Sequence, residues 1–228
     1  MSRKTALDIE SLGNPENSGY AVVVPNFAFV AIPDAPDTDH LEYLYIQQPV
    51  QDQLDVGLRV GASTMDFWHN MCAKDFPGAH AEMIKSFTLT KPAIHTNVSY
   101  IYPYVHYTPH VIQQFVYGNE FGVDDSISTE VYGNGCHFDC SILQENSRVL
   151  YGNADLWHYS SPQNARTLKN RLNEEQRAEM DDIVQRVLGA FVSNMNGTVG
   201  VLELHHPLYD AAREALQISY CLKILDQK

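Results

Sequence analysis

Three apolar segments crowd into the first 46 residues, and helix and strand patterns alternate after them. Lys4–Ile9 is a short apolar run that ends in acids. Ala21–Val24 and Phe27–Ile32 read as one long or bent strand, interrupted at Pro25-Asn26. After the turn-rich Pro33–Asp39, Leu41–Ile46 sets Leu41, Tyr43 and Tyr45 against Glu42, Leu44 and Ile46, the period of a strand rich in aromatic residues. Loops this short pair neighbours in sequence, so the chain opens as a meander. From Ser63 the period lengthens. Ser63 stands as N-cap before Met65, Trp68, His69 and Cys72 at helical spacing, with Asp66 three residues after the cap. Thr108-Pro109 marks another helix start, with Thr108 as cap and Pro at the first helical position. Thr129–Tyr132 is a strand entering Gly133-Asn134-Gly135, and Phe138–Leu143 opens a helix. Glu174–Phe191 is amphipathic, and the last helix starts at Pro207. A meander followed by alternating helices and strands predicts one α/β domain over residues 1–228 with a mixed sheet.

Composition narrows what such a domain does. Hydrophobic residues make up 44% and charged residues 19% of 228, enough for a real core and too few charges for a disordered chain. No apolar run approaches the roughly 18 residues of a membrane span. MSRKTALDIE lacks the apolar stretch of a secretory signal, which predicts a cytoplasmic protein with no membrane partner. Fifteen Lys and Arg against 28 Asp and Glu leave a net charge of −13, which excludes a broad basic face for duplex DNA. A metal-dependent enzyme with clustered carboxylates stays open. Four cysteines are too few to staple a chain of this length.

Three places carry chemistry. Asp8 and Glu10 lie two apart at the end of the first strand, so their carboxylates share a face. Asp139 follows the glycine turn into the first turn of a helix, near its positive end. His205-His206-Pro207-Leu208-Tyr209-Asp210 opens the terminal helix with an acid one turn in. Taken singly, each has a plain explanation as a solvated strand end or a helix cap. Cys136-His137-x-x-Cys140 and His69-x-x-Cys72 offer zinc ligands, but the Cys spacing is not that of a common finger, and small buried cysteines are the simpler reading.

Taken in order, D-x-E at Asp8/Glu10, F-D-x-x-I-L at Phe138–Leu143 and H-x-x-x-x-D at His205/Asp210 resemble the three motifs of the DEDDh exonucleases, the superfamily of polymerase proofreading domains. DIESLG, Ser63–Trp68, Gly133–Asp139 and Ala165–Leu168 are similar to the small phage DNA exonucleases of the T-even type and their bacterial 3′–5′ exoribonuclease-like relatives. Pro207 departs from the small residue usual in the third motif. The resemblance implies a ribonuclease H-like mixed β-sheet flanked by helices and 3′–5′ exonuclease activity. Single-stranded DNA is the expected substrate, in a host cytoplasm if the chain is phage-encoded. The alternatives are an exoribonuclease of the same fold, or a proofreading or 3′-end-binding module beside a polymerase or helicase. It also implies two Mg²⁺ or Mn²⁺ ions held by Asp8, Glu10, Asp139 and Asp210, which agrees with the preference of those ions for hard oxygen ligands. His205, five residues before Asp210, is the implied general base; His206, four before it, is the competitor.

Substrate contacts are expected from two stretches. Residues 146–171 carry Arg148, Arg166, Lys169 and Arg171 against Asp155 alone, which offers Arg166 or Lys169 to a phosphate. Tyr100, Tyr102 and Tyr104 alternate, which offers Tyr102 to a stacking platform for single-stranded bases, although packing in a core or subunit contact is the favoured reading. The aromatic-rich residues 83–107 match nothing in the resemblance and read as an insertion.

Overall fold

The computed structural model describes residues 3–101, 107–118, 129–153, 155–195 and 197–226. Among these, six strands form one sheet: β1 (Arg3–Glu10), β2 (Asn26–Ala31), β3 (Tyr43–Gln47), β4 (Ala93–Thr96), β5 (Thr129–Gly133) and β6 (Pro162–Asn164), in spatial order β4-β3-β2-β1-β5-β6. The first four pair antiparallel as a meander, while β1–β5 and β5–β6 are parallel. Short helices α1 (Pro15–Ser18), α2 (Val50–Asp55), α3 (Ala62–Asp66), α4 (Ala73–Asp75) and α5 (Pro77–Lys85) fill the first half. They are followed by α6 (Thr108–Tyr117), α7 (Cys136–Tyr151), α8 (Ala165–Lys169), α9 (Glu174–Met195) and α10 (Pro207–Leu225). This is the mixed sheet flanked by helices that the pattern predicts, consistent with the ribonuclease H-like fold that the resemblance implies.

Both faces of the sheet are buried. Ala6, Ala28, Val30, Tyr43 and Tyr45 face α9 and α10, while Leu7, Phe27, Phe29, Leu44, Ile46 and Val131 face α6 and α7. Two-sided burial explains why Leu44 and Ile46 are apolar where simple alternation would place polar residues. A third cluster of Leu12, Val23, Trp68, Cys72 and Met83 fastens the α2–α5 region to the end of β1.

Four local expectations are corrected. Ala21–Val24 is not a ladder strand, although Val22, Val23 and Val24 are buried; Val22 makes an isolated bridge to Arg59, and the Val24 N–H donates to the Gln53 side chain at 2.8 Å. The N-cap of α3 is Gly61, not Ser63, and the helix passes into a π-helix at Phe67–Cys72. Thr108 is the first residue of α6 rather than its cap, and Tyr151 bonds its hydroxyl at 3.0 Å. Cys136, rather than Phe138, opens α7. Within residues 83–107, Ala93–Thr96 forms β4 and completes the sheet edge. Tyr100 is partly buried, with the Arg3 guanidinium over its ring at 5.9 Å. Tyr102 lies outside the described residues.

Candidate active site

β1 delivers the first two acids. Asp8 and Glu10 sit opposite Ala28 and Asn26 of β2, on the face covered by α10. Gly133, paired with Leu7 at the end of β5, starts the turn into α7 and brings Asp139 to the same end of the sheet. A Cβ at Gly133 would lie 2.7 Å from Asp139 Oδ2, so only glycine permits this approach. The Asp139 carboxylate accepts a bond from Gly135 N–H at 3.3 Å.

The two histidines have different tasks. His206 is fully buried and caps α10: its Nδ1 accepts from Leu208 N–H at 3.2 Å, leaving Nε2–H to donate to Val199 C=O at 3.3 Å. Both nitrogens are spent, and burial pushes its pKa down to about 4, so it remains neutral. His205 is partly buried and is the single non-glycine residue with positive φ (66°) among the described residues. Its N–H donates to Asp210 Oδ2 at 2.8 Å, which holds a backbone that costs roughly 1–3 kcal/mol in isolation. The ring then meets Phe76 and Phe67 edge-on, with centroids at 4.9 and 5.2 Å. Phe67 opens the π-helix, whose Trp68 donates to Ser11 C=O at 3.2 Å, immediately beyond Glu10.

Glu10, His205 and Asp210 place ligand atoms within 4.8 Å of one another, and Asp8 and Asp139 join them electrostatically. Burial raises the Asp8 pKa well above the carboxylate range, and the charges of Asp210, Glu10, Asp139 and Glu214 add to it. Glu10 is raised by burial and then by Asp210 and Asp139. Burial brings Asp139 to about 7. Asp210 is raised by burial, opposed by the Arg213 guanidinium at 2.8 Å. Burial lowers the His205 pKa, and the charge of Asp210 pulls it back.

Two participants escaped the sequence reading. Glu214 is a further buried carboxylate, one turn beyond Asp210 on the same face of α10; the i, i+4 spacing was the available signal. Asn26, 1% exposed and opposite Glu10, donates to the Tyr45 hydroxyl at 3.3 Å, while its Oδ1 has no partner. Asp210 Oδ1 likewise lacks a hydrogen bond of good geometry despite its ion pair. Mutually repelling carboxylates offer the hard oxygen donors that fit divalent cations such as Mg²⁺ and Mn²⁺.

The expected phosphate contacts separate. Arg166 is exposed, donates to Asn134 Oδ1 at 3.4 Å, and lies close enough to draw the Asp139 pKa down. Lys169 instead pairs with Glu214 at 3.0 Å, so it is not a free phosphate ligand. The thiols are buried and free, burial pushes Cys72 up to about 12 and Cys140 well above its usual value, and among the described residues no cysteine joins a cluster able to hold a metal ion. A cavity of about 1000 Å³ opens at the opposite end of β1 beside Arg3 and Lys4 and touches none of the clustered acids. Among the described residues no helix is long and apolar enough to cross a membrane.

A family model described as the 3′–5′ exoribonuclease Rv2179c-like domain matches residues 3–222. No curated protein and no solved structure matches the chain.

Proposed function

The chain belongs to the Rv2179c-like 3′–5′ exoribonuclease domain family, and we propose that it trims single-stranded RNA from the 3′ end by cation-dependent phosphodiester hydrolysis. RNA replaces the DNA expected from the phage resemblance, because the matching family is one of exoribonucleases. The observation that supports the reading is the convergence of β1, α7 and α10, which brings Glu10 and Asp210 to the His205 side chain and puts Asp8 and Asp139 within electrostatic reach of those two acids.

Asp8, Glu10, Asp139 and Asp210 would hold two Mg²⁺ or Mn²⁺ ions, which supply charge neutralisation at the phosphodiester and a lowered barrier to attack by water. The chain's own residues do the rest. His205 takes the proton of the attacking water on an imidazole nitrogen; its depressed pKa keeps it neutral and ready near pH 7. Asp210 orients that ring through the His205 backbone N–H. Water oxygen bonds to phosphorus, the P–O3′ bond breaks, the departing 3′ oxygen is protonated, and a nucleoside 5′-monophosphate leaves. Arg166 meets a phosphate beside Asp139. Four free cysteines suit a reducing cytoplasm, the compartment in which we place this activity.

The test uses 5′-labelled single-stranded RNA and DNA of the same sequence, with Mg²⁺ and with EDTA. RNA shortened from its 3′ end, faster than DNA and only with Mg²⁺, is the expected result. Activity that survives EDTA or persists undiminished in Asp8→Ala would sink the site. DNA degraded faster than RNA would sink the substrate assignment.

A further inference from the structure

We propose that Lys169 is a positioning residue that clasps the turn leading to Asp139 against the helix carrying Asp210. Its place in catalysis rests on the cation-dependent reading above. Lys169 ends α8, and its ammonium is held by four oxygens from two other elements. It donates to Asn134 Oδ1 at 3.2 Å, to Glu214 Oε1 and Oε2 at 3.0 Å each, and to Gln217 Oε1 at 3.2 Å. Asn134 stands in the turn between Gly133 and Gly135, five residues before Asp139. Glu214 and Gln217 follow Asp210 along α10. One cation therefore joins the two elements that bring Asp139 and Asp210 together.

The turn needs such a tie. Two of its three residues are glycines, and Gly135 gives α7 no side-chain cap. Besides the helix-start bonds that Gly135 C=O accepts from the Phe138 and Asp139 N–H groups, the turn makes a long contact between Gly135 N–H and Asp139 Oδ2. The Glu214 side chain is only 6% exposed and that of Lys169 21%, so the pair is shielded and geometrically fixed, unlike a surface ion pair. Asn134 Oδ1 also accepts from Arg166, so releasing Lys169 would loosen the phosphate contact as well.

Simple electrostatics and the clasp predict opposite signs. Removing a lysine beside a cation site should tighten cation binding if charge alone matters. If Lys169 holds the ligands in place, binding weakens. Lys169→Met alone carries this test of sign, and the double substitution Lys169→Met with Glu214→Gln, which keeps the net charge and removes the buried pair together, guards against a fold lost to an unpaired buried carboxylate. For both, Mn²⁺ binding is measured by calorimetry, the melting temperature by fluorescence, and kcat and KM on labelled RNA. The clasp predicts a near-normal melting temperature in the double variant and, in both, Mn²⁺ affinity reduced about 10–100-fold, the usual cost of losing a group that orients metal ligands. It also predicts a lowered kcat with KM within about twofold of the parent. Asn134→Ala, which leaves the ion pair and cuts the tether, should weaken Mn²⁺ binding in the same direction, and decides the matter if the double variant fails to fold. Mn²⁺ affinity equal to or tighter than wild type in a folded variant would overturn the clasp. So would a raised KM with unchanged kcat, the mark of a phosphate contact. If the wild-type chain binds Mn²⁺ through Asp8 but leaves RNA intact, the substrate reading falls while the calorimetric comparison still judges the clasp.

Discussion

His205 and His206 are adjacent in sequence and opposite in use. Sequence spacing favours His205, but only coordinates show that His206 has spent both nitrogens on the α10 cap and Val199. His205→Ala should therefore lose roughly 10²–10⁴-fold in kcat with its melting temperature little changed. His206→Ala should instead lose about 2–4 kcal/mol of stability, from a missing cap and a cavity. Its acid response is equally specific. A His held at about 4 when folded and near 6.5 when unfolded gives stability that is present above pH 6.5 and lost on acidification toward 4. The difference in unfolding free energy between wild type and His206→Ala should shrink across that window. The acids act in the other direction. Their raised pKa values mean that the metal-free fold is favoured below about pH 4 and loses that contribution as pH climbs through about 7, the Asp139 value. In EDTA, Asp8→Asn should melt higher than wild type at pH 7 and show little advantage at pH 4, while Mg²⁺ removes the advantage. Equal melting temperatures throughout would mean that the carboxylates do not repel.

At the level of elements, most of the frame was legible and the exceptions have physical causes. Apolar runs placed β1 and β2, the alternation of Leu41–Ile46 placed β3, and i, i+3, i+4 spacing placed α9 and α10; the strands are buried on both faces and the helices on one. Ala21–Val24 is as apolar as a strand, yet the hydrogen bonds of Val23 and Val24 go to Arg59 and the Gln53 side chain, partners that no local pattern announces. The π-helix at Phe67–Cys72 is hidden for a related reason. Met65, Trp68, His69 and Cys72 satisfy ordinary helical spacing, and the wider turn is set by packing of Trp68 and Phe67 against the site. The β5–α7 turn was readable from its glycines, but the demand on Gly133 was not. Gly133→Ala would press a methyl into Asp139 and the Cys136 backbone, costing about 1–3 kcal/mol. It should also lower Mn²⁺ affinity; unchanged binding and melting would show that the turn yields.

For the whole molecule, charge and sheet order act together. A protein of net −13 has little long-range attraction for nucleic acid, so affinity must come from bound cations and a few local contacts such as Arg166. Blunt duplex RNA should bind much more weakly than a single strand at physiological salt. Arg166→Gln should flatten the salt dependence of single-strand binding by about one unit of log–log slope. A slope unchanged from wild type would remove Arg166 from the phosphate path. Such tertiary neighbours were beyond sequence reading: Glu214 is recognisable as a participant only once α10 is laid over β1, and Lys169 passes for a surface cation until its oxygen partners are seen.

The spread of the acids along the chain also bears on when activity begins. Asp8 and Glu10 come from the first strand, Asp139 from the middle, and Asp210 from the last helix, while β1 waits for β5 as its parallel neighbour. A ribosome releases the N-terminal part first. The nascent chain therefore holds only part of the acid set until α10 has emerged and folded onto the sheet. On the proposed reading it would carry an incomplete cutting site while tethered beside the message that encodes it, and a chain abandoned short of Asp210 would leave that RNA intact.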